Sequence, residues 1–140
     1  MNAIRLAELR DGPLSVDEVL SAVQDPAAGG IALFTGVVRD HDHGQAVDRL
    51  TYSAHPTAQA ELRRAAGKIA ASYDLYAVAA VHRLGTLAVG DIAVVVAVAS
   101  AHRGDAFDAC RALIDEVKSA VPIWKHEEFG DGGSEWVNSA

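Results

Sequence analysis

Apolar and polar positions alternate with a period of two from Ile4 to Leu9, then recur at helical spacing at Val16, Val19, Leu20 and Val23. The first pattern predicts a half-buried strand ended by Asp11-Gly12-Pro13, the second an amphipathic helix. Ser15 with Glu18 makes a capping box at the helix start, and Pro26 with Gly29-Gly30 ends it. Ile31 to Val38 is a continuous, β-branched apolar run, read as a buried strand. Gly36 inside it predicts a bulge or the close approach of another backbone.

Arg39 to Gln45 reads as a polar loop, and Val47 to Ser53 as a half-exposed strand with Leu50 and Tyr52 on one side. Pro56-Thr57 opens a second helix through Ser72, carrying Leu62, Ile69 and Tyr73. Tyr76 to His82 is a further strand, Leu84-Gly85 a turn, and Asp91 to Ser100 the most apolar strand. Asp105 reads as the cap of a third helix with the stripe Phe107, Cys110, Leu113, Ile114 and Val117. The tail is extended through Trp124 and Trp136, around a glycine-rich loop at Gly130 to Gly133. Helices and strands alternate irregularly, and at least two neighbouring strand pairs are too closely linked for a crossover helix. The expected fold is therefore α+β, a mainly antiparallel sheet flanked by about three helices. A chain of 140 residues suits one domain, residues 1–140.

Composition narrows the function. A net charge of -7 argues against a general nucleic-acid binder, which would carry a basic field. No apolar run approaches the roughly 20 residues of a membrane span, and Met1 to Arg5 lacks the apolar block of a signal peptide. A cytoplasmic location is the expectation. The single cysteine, Cys110, excludes an internal disulfide and any CxxC motif, and its place on the buried stripe makes it a poor nucleophile. His41-x-His43, with Asp40 and Asp42, has metal-ligand spacing, but no third cluster supports it. A solvated loop, and no metal, is the better reading.

Only three lysines are present, and two of them, Lys118 and Lys125, bracket the end of the third helix. Pro122 stops that helix, so two scarce amines are held near one helix end, suited to an anion or an activated carbonyl. On a helical wheel Lys118 lies about 20° from Phe107 and about 40° from Ile114, at the margin of the apolar stripe. It is either a snorkelling lysine covering the core edge or a partly desolvated base or nucleophile. Lys125, next to Trp124, is a similar cation or a cation–π partner. Ser100-Ala101-His102-Arg103-Gly104-Asp105 leads from the most apolar strand into the third helix, where helix-end amides and Arg103 suit an anion and His102 could move protons. The alternative is a paired Arg103 and a packed His102. Arg39, just past a strand end, is weak evidence alone, and His82-Arg83 reads as structural.

These residues together resemble a family. Phe34-Thr35-Gly36-Val37-Val38-Arg39-Asp40-His41, His82-Arg83-Leu84-Gly85, Ser100-Ala101-His102-Arg103 and Lys118…Pro122-Ile123-Trp124-Lys125-His126-Glu127 resemble, in order and spacing, the blocks of the large, catalytic subunit of molybdopterin synthase. The resemblance implies an α/β hammerhead-type fold and a heterotetramer: a central homodimer with a small ubiquitin-like sulfur carrier at each end. The carrier's C-terminal Gly-Gly thiocarboxylate would thread into a pocket and pass sulfur to cyclic pyranopterin monophosphate, forming the molybdopterin dithiolene. It implies Lys118 and Lys125 as catalytic residues, and Val37, Val38, Arg39, His102, Arg103, Lys118, Lys125, His126 and Glu127 around the substrate. Sulfur arrives on the partner, so no cofactor and no reactive cysteine is implied. Val37 stands where some relatives carry lysine, and His126 where many are basic. The chain stops at Ala140, where longer members carry an arginine-bearing tail, so a site without that cross-subunit contact is expected. Two other readings are a non-catalytic subunit that docks a ubiquitin-like tail and a stand-alone phosphate-ester hydrolase using Arg39, Arg103 and His102.

Overall fold

A strand apolar at every position must be covered on both faces, and this requirement organises the molecule. The computed structural model describes residues 2–137; Ala140 and its neighbours at the tail lie outside the described residues. In chain order the elements are β1 (Ile4–Arg10), α1 (Val16–Ala22), β2 (Gly30–Val37), β3 (His41–Asp42), β4 (Gln45–Ala54), α2 (Ala58–Ser72), β5 (Ala77–Arg83), β6 (Gly85–Ala88), β7 (Ile92–Ser100), α3 (Arg103–Ala120), β8 (Ile123–Phe129) and β9 (Ser134–Val137). One sheet has the order β1-β5-β7-β2, antiparallel except for β1 with β5. Val94, Val96 and Val98 of β7 face α2 and α3, while Val95, Ala97 and Ala99 face Val19 and Val23 of α1. A second sheet runs β3-β4-β8-β9, with β6 also on β4. Its Leu50, Tyr52, Leu87 and Ile123 close the larger core. The fold is α+β with three helices, and its strands form two sheets where the sequence suggested one. Among the described residues, no helix is long and apolar enough to cross a membrane.

Several local expectations change. Ser15 Oγ accepts the Glu18 N–H at 3.1 Å, but the Glu18 carboxylate turns away from the reciprocal capping bond and takes both Arg10 guanidinium nitrogens at 2.9 Å. The run read as a buried strand is the edge strand β2, paired only with β7, so Ile31, Phe34 and Val37 remain 39–48% exposed. The bulge at Gly36 is present, since the register slips between Gly36 and Val37, but what crowds the glycine is a side chain and not a backbone: a Cβ there would sit 2.6 Å from Val94 Cγ1. The polar loop is a tight hairpin, because His43 and Gly44 take positive φ of 51° and 77°, the conformation of a two-residue turn. Gly85, with φ of 95°, leads straight into β6.

Helix α3 begins three residues earlier than expected, with His102 at its N-cap and Asp105 in its first turn, where a carboxylate favours the helix dipole. Its buried stripe is Ala106, Ala109, Cys110, Leu113, Ile114 and Val117. Phe107 lies 100° away from Ala106 and is 67% exposed.

Candidate active site

Lys118 stands in the last turn of α3, one residue past the buried Val117. The backbone N–H of Val121 closes that helix on Val117 O at 3.2 Å, and Pro122, which has no N–H to donate, sends the chain into β8. Side chains then alternate across the strand. Ile123, Lys125, Glu127 and Phe129 turn towards the core, while Trp124, His126 and Glu128 point to the other face. The antiparallel register sets Tyr52 opposite Lys125 and Leu50 opposite Glu127.

Lys118, Lys125 and Glu127 meet the end of β2 across a cavity of about 340 Å³, also lined by Phe34, Val37, Val38, Arg39, Asp42 and Tyr52. Val38 is anchored by two backbone bonds: its N–H donates to Asp91 O at 3.0 Å, and Gly90 N–H donates to its carbonyl at 2.9 Å. Arg39 then leaves the sheet at the cavity rim, its Nη2 3.4 Å from Asp42 Oδ1. Arg39 and Lys118 are exposed, and Lys125 is half-buried. The lysine expected at the stripe margin is thus a solvent-reaching amine whose stem borders the cavity.

Two carboxyl groups face these cations. Glu127 is buried, with Oε1 3.3 Å from Lys125 Nζ. Burial, and then contact with Asp42, push its carboxyl above the usual range, with Lys125 pulling the other way. Asp42 is held below that range by its hydrogen bond with Glu127, with the charges of His43 and Lys125 adding. Beneath the cavity, Tyr52 and His82 meet edge to face with ring centroids 4.8 Å apart. Burial and the nearby Glu127 charge push the Tyr52 phenol up to about 12. His82 is fully buried; its Nδ1–H donates to Arg83 O at 2.8 Å, and Nε2 has no partner among the described residues. Burial chiefly, with the Lys118 charge adding, pushes its imidazole down to about 4, against the pull of the Arg83 carbonyl. The buried Cys110 thiol is pushed up to about 11 and stays protonated at neutral pH.

The remaining expected site residues lie elsewhere. His126 is on the outer face of β8, stacked on Trp136 at 4.6 Å; alternation along a strand separates it from Lys125 and Glu127. His102 and Arg103 begin α3, about 22 Å from Lys118 at 1.5 Å per residue, on a backbone pressed against Gly29 and Gly30. Within one chain, therefore, Arg39, Lys118 and Lys125 converge, while His102, Arg103 and His126 do not. Within one chain, the same separation leaves no geometric basis for a hydrolase that uses Arg39, Arg103 and His102 together. Sequence reasoning missed Asp42 and Tyr52 as lining residues. The signal for Asp42 was the His43-Gly44 turn, which folds the loop back as a hairpin.

Several known proteins are similar to this chain. Residues 9–120 match the family described as MoaE protein, a segment that contains Arg39 and Lys118 and ends before Lys125. The molybdopterin synthase catalytic subunit 1 of Mycobacterium tuberculosis is 48% identical over 130 residues, covering 92% of this chain and 88% of that protein. The molybdopterin synthase catalytic subunit of Oryza sativa subsp. indica is 44% identical over 132 residues, covering 91% and 68%. Among solved structures, molybdopterin synthase from Staphylococcus aureus superposes with a TM-score of 0.87 at 34% identity, covering 94% of this chain and 96% of that one.

The chain belongs to the MoaE protein family.

Proposed function

For a member of the MoaE family, we propose that this cavity is where a small ubiquitin-like carrier, ending in a Gly-Gly thiocarboxylate, delivers sulfur to cyclic pyranopterin monophosphate. The product is the dithiolene of molybdopterin, and the chain is the catalytic subunit of a molybdopterin synthase working in the cytoplasm. The observation that carries this reading is the opening of Lys118, on α3, and Lys125, on β8, into one cavity with Arg39 at its rim. A cyclic phosphate and a thiocarboxylate are both anions, and fixed cations at the rim and wall suit both. Ring opening and sulfur addition need proton transfer, for which the Lys118 amine stands at the solvent edge. Lys125 holds the carrier's terminal carbonyl or balances charge developing there. Phe34, Val37 and Val38 supply an apolar wall for the pterin.

His102 and Arg103 reach such a cavity only when a second copy of the chain presents them, which is the part the central homodimer plays in this reading. The buried, protonated Cys110 fits a reaction whose sulfur comes from the partner. The test combines the purified chain, thiocarboxylated carrier and cyclic pyranopterin monophosphate and measures molybdopterin. Product that depends on both chain and carrier is expected; no product, or turnover without a carrier, overturns the reading.

A further inference from the structure

The two lysines and Arg39 have tasks in sulfur transfer, but Asp42 and Glu127 do not. Glu127 is 1% exposed and lines the cavity, yet its Oε1 has no hydrogen-bond partner among the described residues and meets only the ion-pair contact of Lys125 Nζ, 3.3 Å away. Asp42, carried to the cavity by the β3–β4 turn, is the second carboxyl of the same lining among the described residues, and each of the two bears on the other's protonation. Two ionised carboxylates lining one cavity repel and offer each other no donor, so the pair is favoured with one proton held.

We propose that Asp42 is a positioning residue: it keeps a proton on Glu127, so that the Lys125 ammonium faces a neutral carboxyl and is free to meet an anion entering the cavity.

The proton belongs on Glu127 because burial disfavours the charged form, and Asp42 is the more exposed of the two, with a side chain 19% accessible. Asp42 also has the cations. Arg39 Nη2 lies 3.4 Å from its Oδ1, and His43 Nε2 lies 3.7 Å from its Oδ2. The other titratable groups lining the cavity with the pair are His41 on β3, Lys125 on β8, Tyr52 on β4 and Lys118 across the cavity from α3. An ionised Glu127 would hold Lys125 in a buried ion pair, which an arriving thiocarboxylate or phosphate would have to break. A protonated Glu127 leaves Lys125 uncompensated locally and moves the pair's negative charge outward to Asp42, where Arg39 meets it. The pair titrates as a unit, and its second proton leaves only as the pH rises.

The inference rests on the sulfur-transfer reading for its kinetic arm alone. A carbon-13 titration of glutamate side-chain carboxyls in the intact chain, without substrate or carrier, tests the proton directly. One glutamate, identified by its loss in Glu127→Gln, is expected to titrate above the ordinary carboxylate range, and Asp42→Asn should lower its midpoint by about one pH unit or more. A Glu127 that titrates normally, or that ignores Asp42→Asn, overturns the proposal. In the dithiolene assay, the wild-type rate should fall at alkaline pH along the Glu127 titration. Asp42→Asn should move that limb to lower pH, and Glu127→Gln, which stays neutral, should lose it. Three identical profiles also overturn the proposal. If no dithiolene forms in any protein, the functional reading fails, while the titration still decides whether the carboxyl pair holds a proton.

Discussion

Lys118 and Lys125 open onto one cavity although they belong to different elements, the last turn of α3 and the strand β8. The reversal at Val121-Pro122 makes this possible, and alternation along β8 then aims Lys125, not Trp124 or His126, at the same space. The pairing has a direct consequence. Lys118→Ala should lower dithiolene formation by about 100-fold or more, the scale of lost acid–base catalysis. Its melting temperature should barely move, because the side chain is exposed. Lys118→Arg separates the roles: an electrostatic anchor survives the change, and a proton-moving amine does not. Near-normal turnover of Lys118→Ala would refute its catalytic assignment.

Arg39 sits at the rim, and its side chain is 67% accessible. Arg39→Ala should therefore act on binding, raising KM for the pterin phosphate more than it lowers kcat, with the loss growing at low salt, where the exposed charge is least screened. Steady-state kinetics at two ionic strengths checks this. A change confined to kcat contradicts a rim role.

Gly36 has no room for a side chain beside Val94. Gly36→Ala should cost about 1–3 kcal/mol by overpacking the β2–β7 ladder. Val94→Ala in the same chain should recover part of that loss, so the two costs are not additive. Denaturant melts of both single variants and the double variant measure the coupling; strict additivity means that the two sites do not touch.

His82 is fully buried and titrates near 4 in the fold, against about 6.5 in an unfolded chain. Between those values the unfolded state binds more protons. Its contribution is therefore complete above about pH 6.5 and is lost as the pH falls towards 4, a change of roughly 3 kcal/mol. His82→Leu should flatten the stability curve across that window, whatever it does at pH 8. Chemical melts from pH 7.5 to 4 decide it, and an unchanged slope places the acid sensitivity elsewhere.

Much of this architecture was legible in the chain. The period-two run at Ile4, the helical stripe behind Ser15 and the apolar block at Ile92 became β1, α1 and β7 because their patterns report local geometry and burial together. The misreadings share one cause. Nothing in the composition of Ile31 to Val38 tells an edge strand from a central one, since apolar residues can wait at an edge for a neighbour. Phe107 was assigned to the buried stripe on a helical period that admits more than one centre for the stripe. The loop after Arg39 is solvent-exposed, as its polar residues suggest, except that Asp42, half-buried, joins the cavity lining.

The amino-acid order alone determined which side chains are candidates for the chemistry: two scarce lysines, an arginine past a glycine-containing strand, and a proline that forces the chain to turn. It did not determine who faces whom. Strand alternation put His126 on the far side of β8, helix length carried His102 and Arg103 away from Lys118, and a turn delivered Asp42 to the cavity that Glu127 lines. The physical reason is that spacing along a backbone fixes direction within one element. Distance between elements is set only when sheets and helices bury their apolar faces against each other.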